Sequence, residues 1–212
     1  NYNYPYEFIL RNLKIQTNLI ENSFKHNVEK LLFLGSSCIY PKLAPQPIDE
    51  EYLLTGPLEE TNEFYAISKI SGIKLCQSLN QQYGFNSICL MPTNLYGPGD
   101  NYNPLDSHVL PAFITKFIEA KEKRFNAVTC WGTGKVLREF LFVDDLAEAC
   151  IFALENWNPN SKDAPKDKNK KPLFWLNVGS ENEISIKYLA KKIAKIVGFN
   201  GDILWDEEKP DG

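Results

Sequence analysis

Long apolar runs are missing from this chain. None approaches the roughly 18 residues that a membrane-crossing helix needs. No charged, apolar leader opens it either. Surplus positive charge is absent as well: the net charge is -4, so neither a nucleic-acid partner nor a membrane surface is implied. Histidines number two, and the five cysteines (38, 76, 89, 130 and 150) are odd in number, with no Cys-x-x-Cys spacing. That pattern argues for reduced thiols in a cytoplasmic compartment and for no metal site. Also missing is a glycine-rich turn of the kind that cradles a pyrophosphate. Gly97-Pro-Gly99 and Gly132-Thr-Gly134 continue wrongly, and neither opens a helix. The only methionine, Met91, lies inside a strand-like run. Asn1 is therefore not expected to be a translation start. With WDEEKPDG stopping short of a closing element, the chain is expected to be a piece of a longer protein.

What is present suits a globular body of one or two domains: 212 residues, 43% hydrophobic and 24% charged. Residues 6 to 26 carry apolar groups at near-helical spacing (Phe8, Ile9, Leu13, Ile15, Leu19, Ile20, Phe24). LLFLG, Leu31 to Gly35, reads as a parallel strand buried on both faces. A Pro-rich loop with Asp49, Glu50 and Glu51 follows, then a helix through Tyr65 that stops at Gly84. SICLMPTNLYGPG gives the next strand and the loop leaving it. Ser107 to Lys123 reads as a helix with Pro111 in its first turn. VTCW and FLFV are strand-like, and Asp144 or Asp145 is expected to cap the helix after them. The Lys-rich stretch 158–172 reads as a mobile, solvated connection. FWLNVG is a further strand, and Ser185 caps the last helix. This order predicts an α/β fold, a doubly wound parallel sheet.

Thr61 to Cys76 carries the chemistry. Tyr65 and Lys69 stand four residues apart on one helix face. An ammonium beside a phenol favours the phenolate, which suits a tyrosine that exchanges a proton with a carbonyl or alcohol oxygen. Spacing alone is weak, since ten tyrosines and twenty lysines give about one such pair by chance. A second pair, Tyr188 and Lys192, faces away from the stripe Ile186, Leu189, Ala190, Ile193, Val197 and reads as solvated. The first pair has support upstream. Ser36, Ser37 and Cys38 follow a strand end, where open parallel sheets bind ligands. A serine hydroxyl there can hold the oxygen that Tyr65 protonates while Lys69 lowers the phenol's pKa. The competing reading is an N-capping serine pair and a half-buried helix tyrosine.

GSSCIYPK, the Tyr65-Ala-Ile-Ser-Lys69 motif, MPTNLYGP, SHVLPAF, WGTG, REFLFVDD and NVGS together resemble the GDP-L-fucose synthases. These are extended short-chain dehydrogenase/reductases, and the likeness runs over nearly all the chain except the Lys-rich loop. The resemblance implies a partial Rossmann-like sheet with a smaller substrate-binding part. Residues 1–95 and 139–178 would belong to the NADP-binding domain, and 96–138 and 179–212 to the GDP-sugar part. It implies inversion of GDP-4-keto-6-deoxy-D-mannose at C3 and C5, then NADPH-dependent reduction at C4. Cys38 and His108 match the epimerisation pair, as base and acid, beside Ser36, Tyr65 and Lys69. With Tyr65 and Lys69, the cofactor would meet Pro92, Asn94 and Leu95. The sugar nucleotide would meet Ser37, Asn94, Lys116, Trp131 and Arg138.

Plain readings compete for several of these. Cys38 could be a small buried hydrophobe, His108 a helix cap and Trp131 a core residue. The resemblance further implies a cytoplasmic homodimer, and a cofactor fingerprint upstream of Asn1. These 212 residues alone are then expected to be inactive and unable to hold NADPH. The alternatives are a nucleotide-sugar 4-epimerase or 4,6-dehydratase of the same family, and a non-catalytic Rossmann-like binding protein. A dehydratase would place an acid beside the active-site hydroxyl, whereas Ser36 is followed by Ser37 and Cys38.

Overall fold

Apolar residues alternate between two faces of a parallel sheet in the computed structural model, which describes residues 4–103 and 107–209. The expected chain end at Pro210 to Gly212 lies outside the described residues. The elements in order are α1 (Pro5–Lys25), β1 (Leu31–Leu34), α2 (Glu63–Tyr83), β2 (Ser87–Pro92), β3 (Asn94–Tyr96) and α3 (Val109–Glu122). There follow β4 (Ala127–Trp131), β5 (Leu137–Phe142), α4 (Val143–Asn156), β6 (Trp175–Val178), β7 (Glu183–Ser185), α5 (Ile186–Val197) and β8 (Asp202–Asp206). Contacts divide the chain into two units, residues 1–93 with 145–178 and residues 94–144 with 179–212.

In the first unit β1, β2 and β6 form a parallel sheet in that order, with Leu31 opposite Ser87 and Cys89 opposite Trp175. Every residue of β2 is buried. Cys89 and Met91 pack with Ile20, Ile70 and Ile73 of α1 and α2, while Ile88 and Leu90 pack with Ala153 and Trp157 at α4. Helices thus cover both faces, as a doubly wound sheet requires. β1 is less enclosed than expected. Only Phe33 is buried and Leu34 is exposed, because β1 flanks the sheet where β2 fills its centre.

Two helices depart from their sequence reading. The buried groups of α1 are Gln16, Ile20 and Ser23, whereas Phe8, Ile15 and Leu19 are exposed. The Gln16 amide donates to the Ser68 carbonyl of α2 at 2.5 Å, and that bond compensates its burial. Helix α4 begins at Val143, so Asp144 and Asp145 lie inside its first turn rather than capping it. Carboxylates there still face the positive end of the helix dipole.

Other stops behave as read. Gly84 closes α2 with φ 72°, a left-handed conformation that glycine adopts without strain. Ser185 caps α5, its Oγ accepting from Tyr188 N at 3.1 Å. The Lys-rich stretch is not a loose connection. Lys168 Nζ reaches Asp49 Oδ2 at 3.0 Å and its backbone N donates to Glu51 Oε1 at 2.6 Å, while Asp167 Oδ1 accepts from the backbone N of Asn169 and Lys171. Opposite charge pins the stretch onto the Pro-rich loop.

The second unit holds β3, β5 and β7, with β3 parallel and β7 antiparallel to β5, and a parallel pair β4 and β8. Its core gathers Phe113 and Phe117 of α3, Val128 and Cys130 of β4, and Leu189 and Ile193 of α5. Tyr188 is exposed, as its polar face predicts.

Candidate active site

The first unit brings Ser36, Cys38, Tyr65 and Lys69 together beyond the end of β1. Gly35 N continues the ladder to Leu90 O at 2.9 Å. A Cβ at Gly35 would stand 2.3 Å from Met91 Sδ, so a larger residue here would have to displace that buried side chain of the central strand. Ser36 follows in extended conformation and caps a 3-10 turn, Ser37–Ile39. Its Oγ accepts from Cys38 N at 3.5 Å and from the Cys38 thiol at 3.2 Å. Ser36 is thus an N-cap, as one sequence reading has it, and its hydroxyl also lies against the Cys38 thiol.

Helix α2 supplies the other two groups, both half-buried. Lys69 Nζ donates to the Leu34 carbonyl at 3.0 Å, lies 5.1 Å from the centre of the Phe33 ring, and lies 5.7 Å from that of Tyr65. The expectation that Lys69 lowers the phenol's pKa is not met. Burial pushes the Tyr65 phenol up, the nearby Cys38 adds to that, and only the hydrogen bond with Ser36 works against it. The Lys69 ammonium donates instead to a strand carbonyl. Burial in turn lowers the pKa of Lys69, opposed by Cys38. Burial raises that of the Cys38 thiol, offset by its bonds to Ser36 and its own backbone and by the Lys69 charge.

An expected result follows. The rate of Cys38 alkylation by iodoacetamide should climb with pH about a midpoint above that of an ordinary cysteine. Lys69→Met and Ser36→Ala should each raise it further, since both groups stabilise the thiolate. Mass spectrometry of the modified thiol against pH checks this. A midpoint at or below the ordinary value, unmoved by both changes, would contradict it.

The remaining candidates differ in setting. Ser37 is half-buried in the 3-10 turn, and Pro92 is buried at the end of β2. In the second unit Asn94 and Leu95 are exposed on β3, and Asn94 Nδ2 donates to the Glu139 carbonyl at 3.0 Å. His108 occupies the N-cap position of α3, as the plain reading has it, and is exposed; its carbonyl accepts from Ala112 N at 3.0 Å and its ring makes no capping hydrogen bond. Lys116 Nζ donates to the Thr129 carbonyl of β4. Trp131, at the end of β4, is 65% exposed, which excludes core packing. Lys209 Nζ lies 5.9 Å from the centre of its ring. Arg138, half-buried on β5, donates from Nη1 to the Leu137 carbonyl at 2.8 Å.

Sequence reasoning missed Gln16, whose bond to the carbonyl of Ser68, the residue before Lys69, ties α1 to α2. Its one signal is its place one turn before Ile20, on the face that is buried. Among the described residues no cluster of His, Cys, Asp or Glu could hold a metal ion.

A hydroxyl, a phenol and an ammonium at the carboxyl end of a parallel strand are groups suited to exchanging a proton at a carbonyl or alcohol oxygen. The chain belongs to the NAD dependent epimerase/dehydratase family, whose sequence pattern matches residues 1–167. GDP-L-fucose synthase 1 of Arabidopsis thaliana is 53% identical over 212 residues, 100% of this chain and 62% of that protein. The crystal structure of a GDP-6-OMe-4-keto-L-xylo-heptose reductase from C. jejuni superimposes with a TM-score of 0.88 at 39% identity, covering 100% of this chain and 68% of the other. A GDP-L-fucose synthetase from Naegleria fowleri bound to NADP gives 0.83 at 30% identity, covering 99% and 63%. The chain thus spans about three fifths of the length of the Arabidopsis enzyme.

Proposed function

We propose that the full-length protein converts GDP-4-keto-6-deoxy-D-mannose to GDP-L-fucose, by inversion at C3 and C5 and NADPH-dependent reduction at C4. The observation that carries this reading is the convergence of Ser36, Cys38, Tyr65 and Lys69 on one strand end. Hydrogens on C3 and C5 flank the ketone, so removing one leaves an enolate whose oxygen Ser36 and Tyr65 can hold. Cys38 is the base. His108, on the second unit, is assigned the acid's role by its match to the family. Trp131 offers a flat wall to the nucleotide, and Arg138, with Lys116, offers charge to its diphosphate. The presence of Cys38 favours inversion with reduction over reduction alone, since a plain reductase needs no carbon base. The dehydratase reading lacks an acid beside Ser36, and the non-catalytic reading leaves the convergence without a purpose.

The cofactor, when bound, supplies the hydride. Lys69 and Tyr65 present donors that fit a ribose at the strand end, with Pro92, Asn94 and Leu95 proposed to line the nicotinamide side. A pyrophosphate cradle is not matched by any glycine-rich turn in these 212 residues, and is proposed to lie outside them. The direct test is NADPH oxidation by the full-length protein. Oxidation should require a GDP-linked 4-keto sugar and yield GDP-L-fucose. Oxidation without that sugar, or a dehydrated or 4-epimerised product, would refute the reading.

A second copy of the protein is the proposed partner. Phe8, Ile15 and Leu19 of α1 and Phe64 and Ile67 of α2 are exposed, an unusual amount of apolar surface for two helices. Sedimentation of the full-length protein should show a dimer that Ile15→Glu converts to monomer. A variant that stays dimeric would place the interface elsewhere. Among the described residues no helix is long and apolar enough to cross a membrane. A cytoplasmic location is proposed from the sequence, whose five cysteines are odd in number and lack Cys-x-x-Cys spacing.

A further inference from the structure

We infer that Asn177 is a positioning residue for the Ser36–Cys38 segment, acting through the buried hydroxyl of Tyr40. The inference rests on the proposed role of Cys38 as a base. Asn177 lies on β6, near its end, and three hydrogen bonds from two stretches, Tyr40 and residues 48–50, meet on it. Its Oδ1 accepts from the Tyr40 hydroxyl at 2.6 Å, its Nδ2 donates to the Ile48 carbonyl at 2.8 Å, and its backbone N donates to Glu50 Oε1 at 2.8 Å.

Tyr40 closes the 3-10 turn that carries Cys38, two residues after it, and is 4% exposed. Its ring is fixed in the core with Ile39, Leu53 and Met91, so the hydroxyl is its one polar anchor. Burial and the neighbouring Glu50 carboxylate both hold that phenol protonated, so it remains a donor to Asn177. The side-chain amide is suited to this junction because it accepts from Tyr40 and donates to Ile48 at once. Leucine at 177 would strand both partners, and aspartate would lose the donor and set a second carboxylate beside Glu50. The thiol is thus held against Ser36 by a turn whose far end is tied to the sheet.

The test uses the full-length protein carrying Tyr40→Phe, Asn177→Leu, or both. The readout is the rate of Cys38 alkylation by iodoacetamide at fixed pH, with Cys150 on α4 as the internal reference. Each single change should speed Cys38 alkylation at least about threefold, because the half-buried thiol gains access as the turn loosens. The double change should add little, since both act through one hydrogen bond.

Tyr40→Phe removes a single hydroxyl and keeps the measurement decisive even if Asn177→Leu does not fold. Unchanged alkylation in Tyr40→Phe would overturn the inference, as would fully additive effects. Solvent-deuterium exchange into the sugar is read on the same variants. Cys38→Ser is measured beside them: faster alkylation in Tyr40→Phe together with exchange that survives in Cys38→Ser would sink the catalytic reading of the thiol and leave the positioning role intact.

Discussion

Replacing Tyr65 with phenylalanine in the full-length protein is expected to lower the rate of ketone reduction by about 10³-fold, near the middle of what a positioned proton donor supplies. Substrate affinity should change little, because Ser36 still offers a hydrogen bond to the oxygen. The direction of the phenol's pKa bears on how this works. Burial and Cys38 raise it, so Tyr65 is protonated throughout the neutral range and is ready to give its proton as hydride arrives at C4. With the pKa raised, the donor form is lost only when pH climbs past that raised value. Reduction should therefore not fall on account of Tyr65 until pH passes the ordinary tyrosine range. Stopped-flow NADPH oxidation under single-turnover conditions checks both points. Unchanged turnover in Tyr65→Phe would remove Tyr65 from the chemistry.

The second large effect belongs to Cys38. Cys38→Ser should abolish exchange at C3 and C5, a loss of at least about 10²-fold, while the ketone is still reduced. A serine hydroxyl has too high a pKa to act as a base here, although it fills almost the same space. In the unaltered protein burial holds the thiol above its ordinary pKa, so the thiolate is scarce near neutrality and grows with pH. Exchange should rise with pH over that raised range, with Lys69 and Ser36 keeping the midpoint from climbing further. Nuclear magnetic resonance of the sugar in deuterated water reports it. Exchange that survives in Cys38→Ser, with the same pH profile, would assign the base to another group.

Much of this site is legible in the sequence, for reasons that are local. Tyr65 and Lys69 share a face because a helix repeats every 3.6 residues, and Ser36 lies past a strand end because LLFLG is too short to go further. Gly84 and Ser185 mark helix ends by backbone chemistry that needs no distant partner. Failures occur where a distant partner decides. Gln16 is buried because Ser68, 52 residues away, takes its amide proton. Lys168 is pinned because Asp49 and Glu51 lie opposite, which composition alone could not reveal. Leu34 is exposed because β1 flanks the sheet, a fact of topology and not of hydropathy. The Tyr65 phenol shifts up and not down because burial, which the helix spacing does not show, is its largest influence. Spacing brings Lys69 near, but the Leu34 carbonyl decides where its ammonium points.

One measurement bears on the central proposition, that a single strand end carries both the carbon base and the proton donor. The full-length protein is given GDP-4-keto-6-deoxy-D-mannose and NADPH in deuterated water, and the product is read by nuclear magnetic resonance. Deuterium at both C3 and C5, protium at C4 and the L-fuco configuration are the outcome predicted here. A reduced sugar with protium at C3 and C5 would show a reductase that never breaks those bonds, and the reading of Cys38 would be wrong.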